Sequence, residues 1–186
     1  MDFIPKFGIG WLNGWLPLVI YVSIQFIVTF TCPKEVKRRL IDRKGWTKTQ
    51  IVMTTIGKSF TLINLILLFF SPLKIGCVEF FIGIILYIIG IIGLSTAILN
   101  FKNAPLGKPI TTGFYKISRN PQLFSIYIIF VGHFLMIGSW ISLIIFLISI
   151  TGSHFSILGE EKRLNEQYGN LYLEYKKKVP RYFIFF

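Results

Sequence analysis

The residues best suited to chemistry form two polar groups at the ends of one long apolar run. Arg119 and Asn120 precede the run at Pro121, and the paired carboxylates Glu160 and Glu161 follow it. A guanidinium fork suits a carboxylate ligand, and a carboxylate accepts hydrogen bonds from hydroxyl or ammonium groups. The two groups could therefore hold a charged, water-soluble reagent where a lipid-soluble molecule can meet it.

The Arg119 motif also has an ordinary structural interpretation. Asparagine at the N-cap and proline at the first helical position are a standard helix start, so these residues alone leave both interpretations open. The preceding loop adds a turn glycine and further polar groups, which favour a binding site. These residues are Thr111, Thr112, Gly113 and Tyr115.

Glu161 lies three residues before Leu164 and seven before Tyr168, so it shares their apolar helix face. A carboxylate on that face is costly without a partner, and Arg119 or a cationic ligand is expected to supply one. A charged first turn of a surface helix, favoured by the helix dipole, is the alternative. His154 is two turns before Glu161 on the same face and could line the pocket or simply bond between helices. No His, Cys or carboxylate set has the spacing of a zinc or two-metal site.

Long uncharged runs show what must position these residues. The chain is 53% hydrophobic and 15% charged, and residues 7–32, 80–101 and 120–159 contain no Asp, Glu, Lys or Arg. About 20 apolar residues span a bilayer, so the last run can form two helices. We expect one all-α integral membrane domain over residues 1–186, with five transmembrane helices and a C-terminal amphipathic helix capping the cytoplasmic face. The expected spans are Trp11–Thr31, Ile51–Phe70, Val78–Phe101, Pro121–Ile137 and Trp140–Leu158; residues 104–186 would hold the cofactor-binding loop, the last helical hairpin and the tail.

The basic residues support this topology. Seventeen of the 20 Lys and Arg residues lie in residues 34–48, 102–119 and 162–181, beside membrane spans. Five spans with the N-terminus outside place all three segments in the cytoplasm, as the positive-inside rule requires. Despite the net charge of +12, this placement argues against nucleic-acid binding and makes membrane lipids the expected partners. The membrane expected is the plasma membrane of a prokaryote.

Periodicity predicts further elements. Residues 34–48 read as a short amphipathic helix on the membrane surface. Gly83, Gly90 and Gly93 should give the third span a flank for close helix contact. Apolar residues recur at helical spacing in the tail, which should continue from the fifth span and fold back over the cytoplasmic mouth. They are Leu164, Tyr168, Leu171, Tyr172, Tyr175 and Val179.

Several short motifs occur in the order and spacing of known membrane methyltransferases. They are Gly113-x-Tyr115, Arg119-Asn120-Pro121, Glu160-Glu161, Tyr168-Gly169, Tyr172, Tyr175 and Val179-Pro180-Arg181. Over roughly Ala104 to Arg181 the chain resembles the isoprenylcysteine carboxyl methyltransferase and phospholipid methyltransferase superfamily. The resemblance implies a helical membrane fold that binds S-adenosylmethionine between the central loop, the last hairpin and the tail helix. Asn120 stands where better-known members carry histidine, and an asparagine cannot act as a base.

The resemblance also implies roles for individual residues. Arg119 could pair with the donor's carboxylate, and either Glu160 or Glu161 could receive its ammonium or ribose hydroxyls. Arg119, Glu161 and Arg181 are the expected catalytic residues, with Arg181 a candidate to hold an anionic acceptor. Methyl transfer from a sulfonium needs alignment and exclusion of water, and no covalent nucleophile or metal. The expected cofactor-binding residues are Thr112, Gly113, Tyr115, Arg119, Asn120, Pro121, His154, Glu160 and Glu161.

The sequence leaves the acceptor open. A prenylcysteine-type carboxylate, a lipid amine and a small hydrophobic thiol or phenol all fit, and no protein partner is required. A membrane reductase using NADPH is a second hypothesis, because sterol reductases are similar at their C-terminal ends. A small carrier fits poorly, since the chain shows no inverted repeat and no row of intramembrane charges.

Overall fold

The computed structural model describes residues 1–183, without the side chain of Leu40, and this part of the chain is all-α, with no β-strand. Seven α-helices follow one another, and a single 3₁₀ turn lies in the central loop. The helices are α1 (Trp15–Phe30), α2 (Lys34–Ile41), α3 (Lys48–Phe70), α4 (Val78–Lys102), α5 (Pro121–Ile137), α6 (Trp140–Tyr168) and α7 (Asn170–Lys178), and the 3₁₀ turn is Gly113–Lys116. The expected all-α class is confirmed.

Three of these helices, α3, α4 and α6, are long and apolar enough to cross a membrane, and α1 and α5 are shorter apolar helices. The chain is therefore built as an integral membrane protein. The 29 residues of α6 extend about 43 Å, whereas a bilayer core is about 30 Å thick. Its last turns, from Gly159 onward, therefore exceed the length needed to cross the bilayer, and these turns carry the paired glutamates.

α1 begins at Trp15, four residues later than predicted. The residues before it form hydrogen bonds with the loop between α3 and α4 instead of joining the helix. The Asn13 side chain donates to the Gly8 carbonyl, the Gly14 N–H donates to the Ser71 carbonyl at 2.9 Å, and the Leu73 N–H donates to the Leu12 carbonyl at 3.0 Å. The two backbone bonds join residues far apart in sequence, which is why local hydropathy did not reveal them.

The predicted helix over residues 34–48 is too long: α2 ends at Ile41 and residues 42–47 form a loop. Asp42 accepts from the Lys44 N–H at 3.0 Å, and Gly45 has a φ of +79°, so both residues favour a turn. α3 then starts with a capping box, in which Thr47 and Gln50 bond each other's backbone. Val36 of α2 is buried, as an apolar residue of an amphipathic helix is expected to be.

The prediction of a single tail helix is wrong, because the structure divides the tail between two helices. α6 continues past Leu158 to Tyr168, and the chain turns at Gly169, whose φ is +52°, before α7. Leu164 and Tyr168 of α6 pack against Tyr172, Tyr175 and Val179 after the turn. The apolar side chains on both sides of the turn thus form one cluster. Their spacing in the sequence is therefore that of a single amphipathic helix, although the chain turns at Gly169.

Glycines set the packing of the long helices. A Cβ atom on Gly83 of α4 would lie 2.7 Å from the carbonyl oxygen of Gly132 on α5, and one on Gly90 would lie 2.6 Å from Ile129. On the other side, a Cβ atom on Gly57 of α3 would lie 2.6 Å from the Cα atom of Gly152 on α6. The predicted close contact along α4 is confirmed.

α5 and α6 form the predicted tight hairpin but pack on different neighbours. Gly138, with φ +65°, ends α5, and the Ser139 side chain caps α6 by accepting from the Ser142 N–H. Beyond the turn, α5 packs mainly on α4, and α6 packs mainly on α3. The two helices therefore leave space between them at their far ends, where the polar groups lie.

Candidate active site

A cavity of about 230 Å³ lies among the central loop, the start of α5, the polar end of α6 and α7. Its walls combine aromatic and aliphatic side chains with charges of both signs. The charged lining residues are Arg39, Lys108, Arg119, Glu160, Glu161 and Arg163. The structure thus brings together the two polar groups that the sequence singled out, although about 40 residues separate them.

Arg119 is held just before α5 and is only 7% exposed. Its Nη2 lies 3.1 Å from Glu161 Oε1, and its Nη1 donates to the Lys176 carbonyl at 3.0 Å. The expected pairing of Arg119 with Glu161 is confirmed. The Nε atom of Arg119 is buried and has no hydrogen-bond partner among the described residues. Arg119 thus lines the cavity with one N–H donor left without a protein partner in the described residues.

Glu161, 6% exposed, is shared by three cations. Arg181 donates to both of its carboxylate oxygens at 2.9 Å, and Lys176 Nζ lies 3.7 Å from Oε2. The hydrogen bonds to Glu161 raise the pKa of the Arg181 guanidinium above its ordinary value. Together with Arg119, these contacts use both oxygens of Glu161, so this carboxylate ties α6 to the loop and to the segment after α7.

Glu160 occupies a different environment on the same cavity. Its side chain forms no ion pair or hydrogen bond within residues 1–183, and burial raises the pKa of its carboxyl above the ordinary value, an effect that the nearby Arg163 opposes. Arg163 donates through Nη1 to Gln167 at 3.2 Å and lies 3.5 Å from Asp42, while its Nε is buried without a partner in the described residues. The two adjacent glutamates therefore differ: Glu161 is in contact with three protein cations, and the Glu160 side chain has no ion pair within the described residues.

The segment after α7 closes one side of the site through backbone bonds. The Arg119 N–H donates to the Pro180 carbonyl at 2.9 Å. The Asn120 side chain and the Ser118 hydroxyl both donate to the Arg181 carbonyl, at 3.1 and 3.2 Å. Asn120 stands at the predicted N-cap position of α5, but its side chain does not cap the helix. It donates to the Arg181 carbonyl instead.

Tyrosines fix the inner wall. Tyr115 is buried, its hydroxyl accepts from Gln122 at 2.9 Å, and its carbonyl accepts from the Tyr175 hydroxyl at 2.7 Å. Burial raises the pKa of Tyr115 and of Tyr175 above the ordinary phenol value, so both remain protonated. The loop is thereby pinned to α5 on one side and to α7 on the other.

The other expected cofactor-binding residues lie around this cavity or away from it. Gly113 makes the predicted turn with a φ of +59°, but Gly113 and Thr112 are exposed, and the loop reaches the cavity through Pro109, Ile110 and Tyr115. Pro121 is fully buried at the first position of α5. His154 lines a second, neighbouring cavity, where its Nδ1 atom lies 3.0 Å from the Tyr182 hydroxyl.

Four contributors to the site were not expected from sequence: Ser118, Lys176, Arg39 and Arg163. Ser118 and Lys176 act through contacts with Arg181, Arg119 and Glu161. Arg39 and Arg163 line the cavity from α2 and α6, and Arg163 donates to the Arg39 carbonyl at 3.4 Å. All four looked like ordinary charged or polar residues of surface segments, so their local sequence carried no signal of a site.

Comparison with known proteins agrees with this arrangement. The sequence model of the phospholipid methyltransferase family matches residues 72–171, which include α4, the central loop, α5 and α6. No curated protein and no solved structure matches the chain. The family match covers more than half of the chain and contains Arg119, Glu160 and Glu161. The resemblance found in the motifs is thus confirmed, and the chain belongs to the phospholipid methyltransferase family.

Proposed function

We propose that the charged cavity binds S-adenosylmethionine and that the protein transfers its methyl group to a hydrophobic acceptor in the membrane. Membership of the family makes the chain a membrane methyltransferase. One observation carries the choice of donor: Arg119, whose buried Nε has no partner in the described residues, and Glu160, whose carboxyl is unpaired there, line the same cavity. A zwitterionic ligand would satisfy both.

The chemical groups of the donor fit these residues. S-adenosylmethionine has a carboxylate, an ammonium, ribose hydroxyls and a sulfonium. Arg119 would hold the carboxylate through Nε, and Glu160 would accept hydrogen bonds from the ammonium or the hydroxyls. The tyrosines Tyr168, Tyr172 and Tyr175 on the same cavity offer aromatic faces, which attract cations.

Glu161 and Arg181 take positioning roles in this proposal. Glu161 is already bound by Arg119, Arg181 and Lys176, so it orients the guanidinium of Arg119. Arg181 closes the cavity with its bidentate bond to Glu161, and this engagement argues against a free role in holding an anionic acceptor. A sulfonium supplies an activated methyl group, so the work left to the protein is to align the reactants and exclude water.

The proposal includes five membrane spans with the charged cavity on the cytoplasmic side. α1 and α5 have 16 and 17 residues, about 24 to 26 Å, and would cross with interfacial residues at their ends. Support comes from the basic segments, which all fall on one side in this arrangement. The membrane proposed is the plasma membrane of a prokaryote.

The test is ligand-dependent stabilisation of the purified protein in detergent. S-adenosylhomocysteine at about 100 times its Kd should stabilise the fold by about 2.7 kcal/mol and raise the melting temperature, and NADPH should not. Arg119→Lys keeps the positive charge but lacks the Nε–H donor of the guanidinium group. It should therefore reduce the stabilisation by S-adenosylhomocysteine. Stabilisation by NADPH alone would favour the reductase hypothesis and overturn the proposal.

A further inference from the structure

A second cavity, of about 500 Å³, lies between α5, α6 and the segment after α7. Its lining includes Phe124, Tyr127, Ile150, Thr151, His154 and Tyr182, and no Asp, Glu, Lys or Arg of residues 1–183 contributes to it. The two cavities are lined by neighbouring residues of α5: Leu123 lines the charged cavity, and Phe124 lines the apolar cavity. The apolar cavity is therefore the neighbour that a hydrophobic reactant would occupy.

Two observations indicate that this cavity receives a polar head group as well as an apolar chain. The Tyr127 hydroxyl is buried and makes no well-formed hydrogen bond within the described residues, although the Ser153 hydroxyl lies near it. His154 Nδ1 lies 3.0 Å from the Tyr182 hydroxyl, and its Nε2 has no partner in residues 1–183. A hydroxyl and an imidazole nitrogen are thus both available on one apolar cavity.

We propose that the apolar cavity binds the methyl acceptor, that the acceptor's nucleophile is an N–H, O–H or S–H group, and that His154 removes its proton. This inference rests on the proposed methyl transfer from S-adenosylmethionine. A carboxylate acceptor is disfavoured, because an unpaired carboxylate is costly to bury and this cavity has no lining cation among the described residues. The Tyr127 hydroxyl supplies a hydrogen bond to the head group.

Each proton and electron pair can be followed through the proposed methyl transfer. When His154 donates its Nδ1–H to Tyr182, the lone pair of the neutral imidazole is on Nε2. The acceptor's proton passes to Nε2, and the freed electron pair forms the new bond to the methyl carbon. The bond between that carbon and sulfur breaks, and its electrons remain on sulfur, which becomes a neutral thioether. The imidazolium then loses its proton to water.

The first experiment measures transfer of labelled methyl from S-adenosylmethionine to simple long-chain probes, using the full chain in detergent. The probes are para-dodecylphenol, dodecylamine, dodecanethiol and dodecanoic acid. We expect at least one of the first three to be methylated and dodecanoic acid not to be. Transfer to dodecanoic acid alone, or to none of the first three, overturns the inference. Retained stabilisation by S-adenosylhomocysteine would then leave the proposed function standing, whereas its loss would overturn both.

The second experiment separates catalysis by His154 from a purely structural bond to Tyr182. His154→Gln should reduce transfer to the best probe about 100- to 10,000-fold, with stabilisation by S-adenosylhomocysteine unchanged. Ile148→Ala, at an exposed position of α6 that lines neither cavity, should leave transfer unchanged, and Thr151→Trp should block the probe by filling the cavity. If His154→Gln retained full transfer, or if it and Tyr182→Phe lowered only the melting temperature and by equal amounts, His154 would be structural and the inference wrong.

Discussion

Arg181 and Glu161 are joined by two hydrogen bonds of 2.9 Å, from Nε to Oε1 and from Nη2 to Oε2, across 20 residues of sequence. The same carboxylate also holds Arg119, whose side chain is only 3% exposed. One acidic side chain thus fixes two guanidinium groups, one from the loop before α5 and one from the segment after α7. The integrity of the donor site should depend on this carboxylate more than on any other charge.

Glu161→Gln should therefore destabilise the protein. Removing one partner of a buried ion pair costs about 3–5 kcal/mol, because the remaining charge is left buried without compensation. The three cations around Glu161 make it such a partner. Melting temperature in detergent is the measurement. Glu166→Gln is the control: its pair with Lys162 is exposed, with the atoms 3.9 Å apart, and should contribute at most about 1 kcal/mol. Equal, small effects would contradict the structural role of Glu161.

Glu160→Gln should give the opposite pattern. This carboxylate has no protein partner within the described residues, so its removal should not lower the melting temperature of the free protein. A charged hydrogen bond to a ligand contributes about 1.5–3 kcal/mol, which is about a tenfold to hundredfold change in affinity. Titration with S-adenosylhomocysteine should show that loss. Glu174→Gln, at an exposed position on α7, should bind normally. Unchanged affinity in Glu160→Gln would remove it from the donor site.

Gly90→Val should disturb the contact between α4 and α5. Its Cβ atom would lie 2.8 Å from the Ile129 backbone nitrogen, and backbone atoms cannot rotate away as side chains do. Overpacking of this kind costs about 1–3 kcal/mol, so the melting temperature should fall. Gly8→Ala provides the comparison, because no atom lies within 4 Å of its added Cβ. A normal melting temperature for Gly90→Val would mean that α4 and α5 are less tightly packed than described.

Cysteine labelling should test the proposed topology. Cys77 is exposed just before α4, and Lys108 follows that helix, whose 25 residues extend about 37 Å. In a Cys32→Ser background, a membrane-impermeant maleimide added to intact cells should label Cys77. In the same background, Lys108→Cys with Cys77→Ser should react only after the membrane is opened. Labelling of both positions from the same side would contradict the five-span arrangement.

The sequence predicted helix ends correctly where residues at that end determine them. Pro121 starts α5, Gly138 ends it, and Ser139 caps α6, so the predicted bounds of α5 and the predicted start of α6 match the structure. The start of α1 depends instead on bonds from Gly14 and Leu12 to a distant loop. No local pattern contains those contacts.

The site shows the same division between local and distant causes. The apolar periodicity around Glu161 predicted that it needs a cation, and Arg119 is that cation. The same periodicity could not show that Arg181 and Lys176 also reach Glu161 after the turn at Gly169, which leaves Glu160 as the available carboxylate. Nor could it place His154 on a separate cavity, because that position depends on how α5 and α6 diverge.

The bonds between Asn120 and Arg181, 61 residues apart, also make the segment after α7 a structural part of the site. A truncation before Pro180 would keep all seven helices, but Arg119 would lose the carbonyl that accepts from its N–H, and Glu161 would lose its bidentate partner. Such a truncated protein would retain every membrane helix and lack the contacts that hold the loop before α5 against α6.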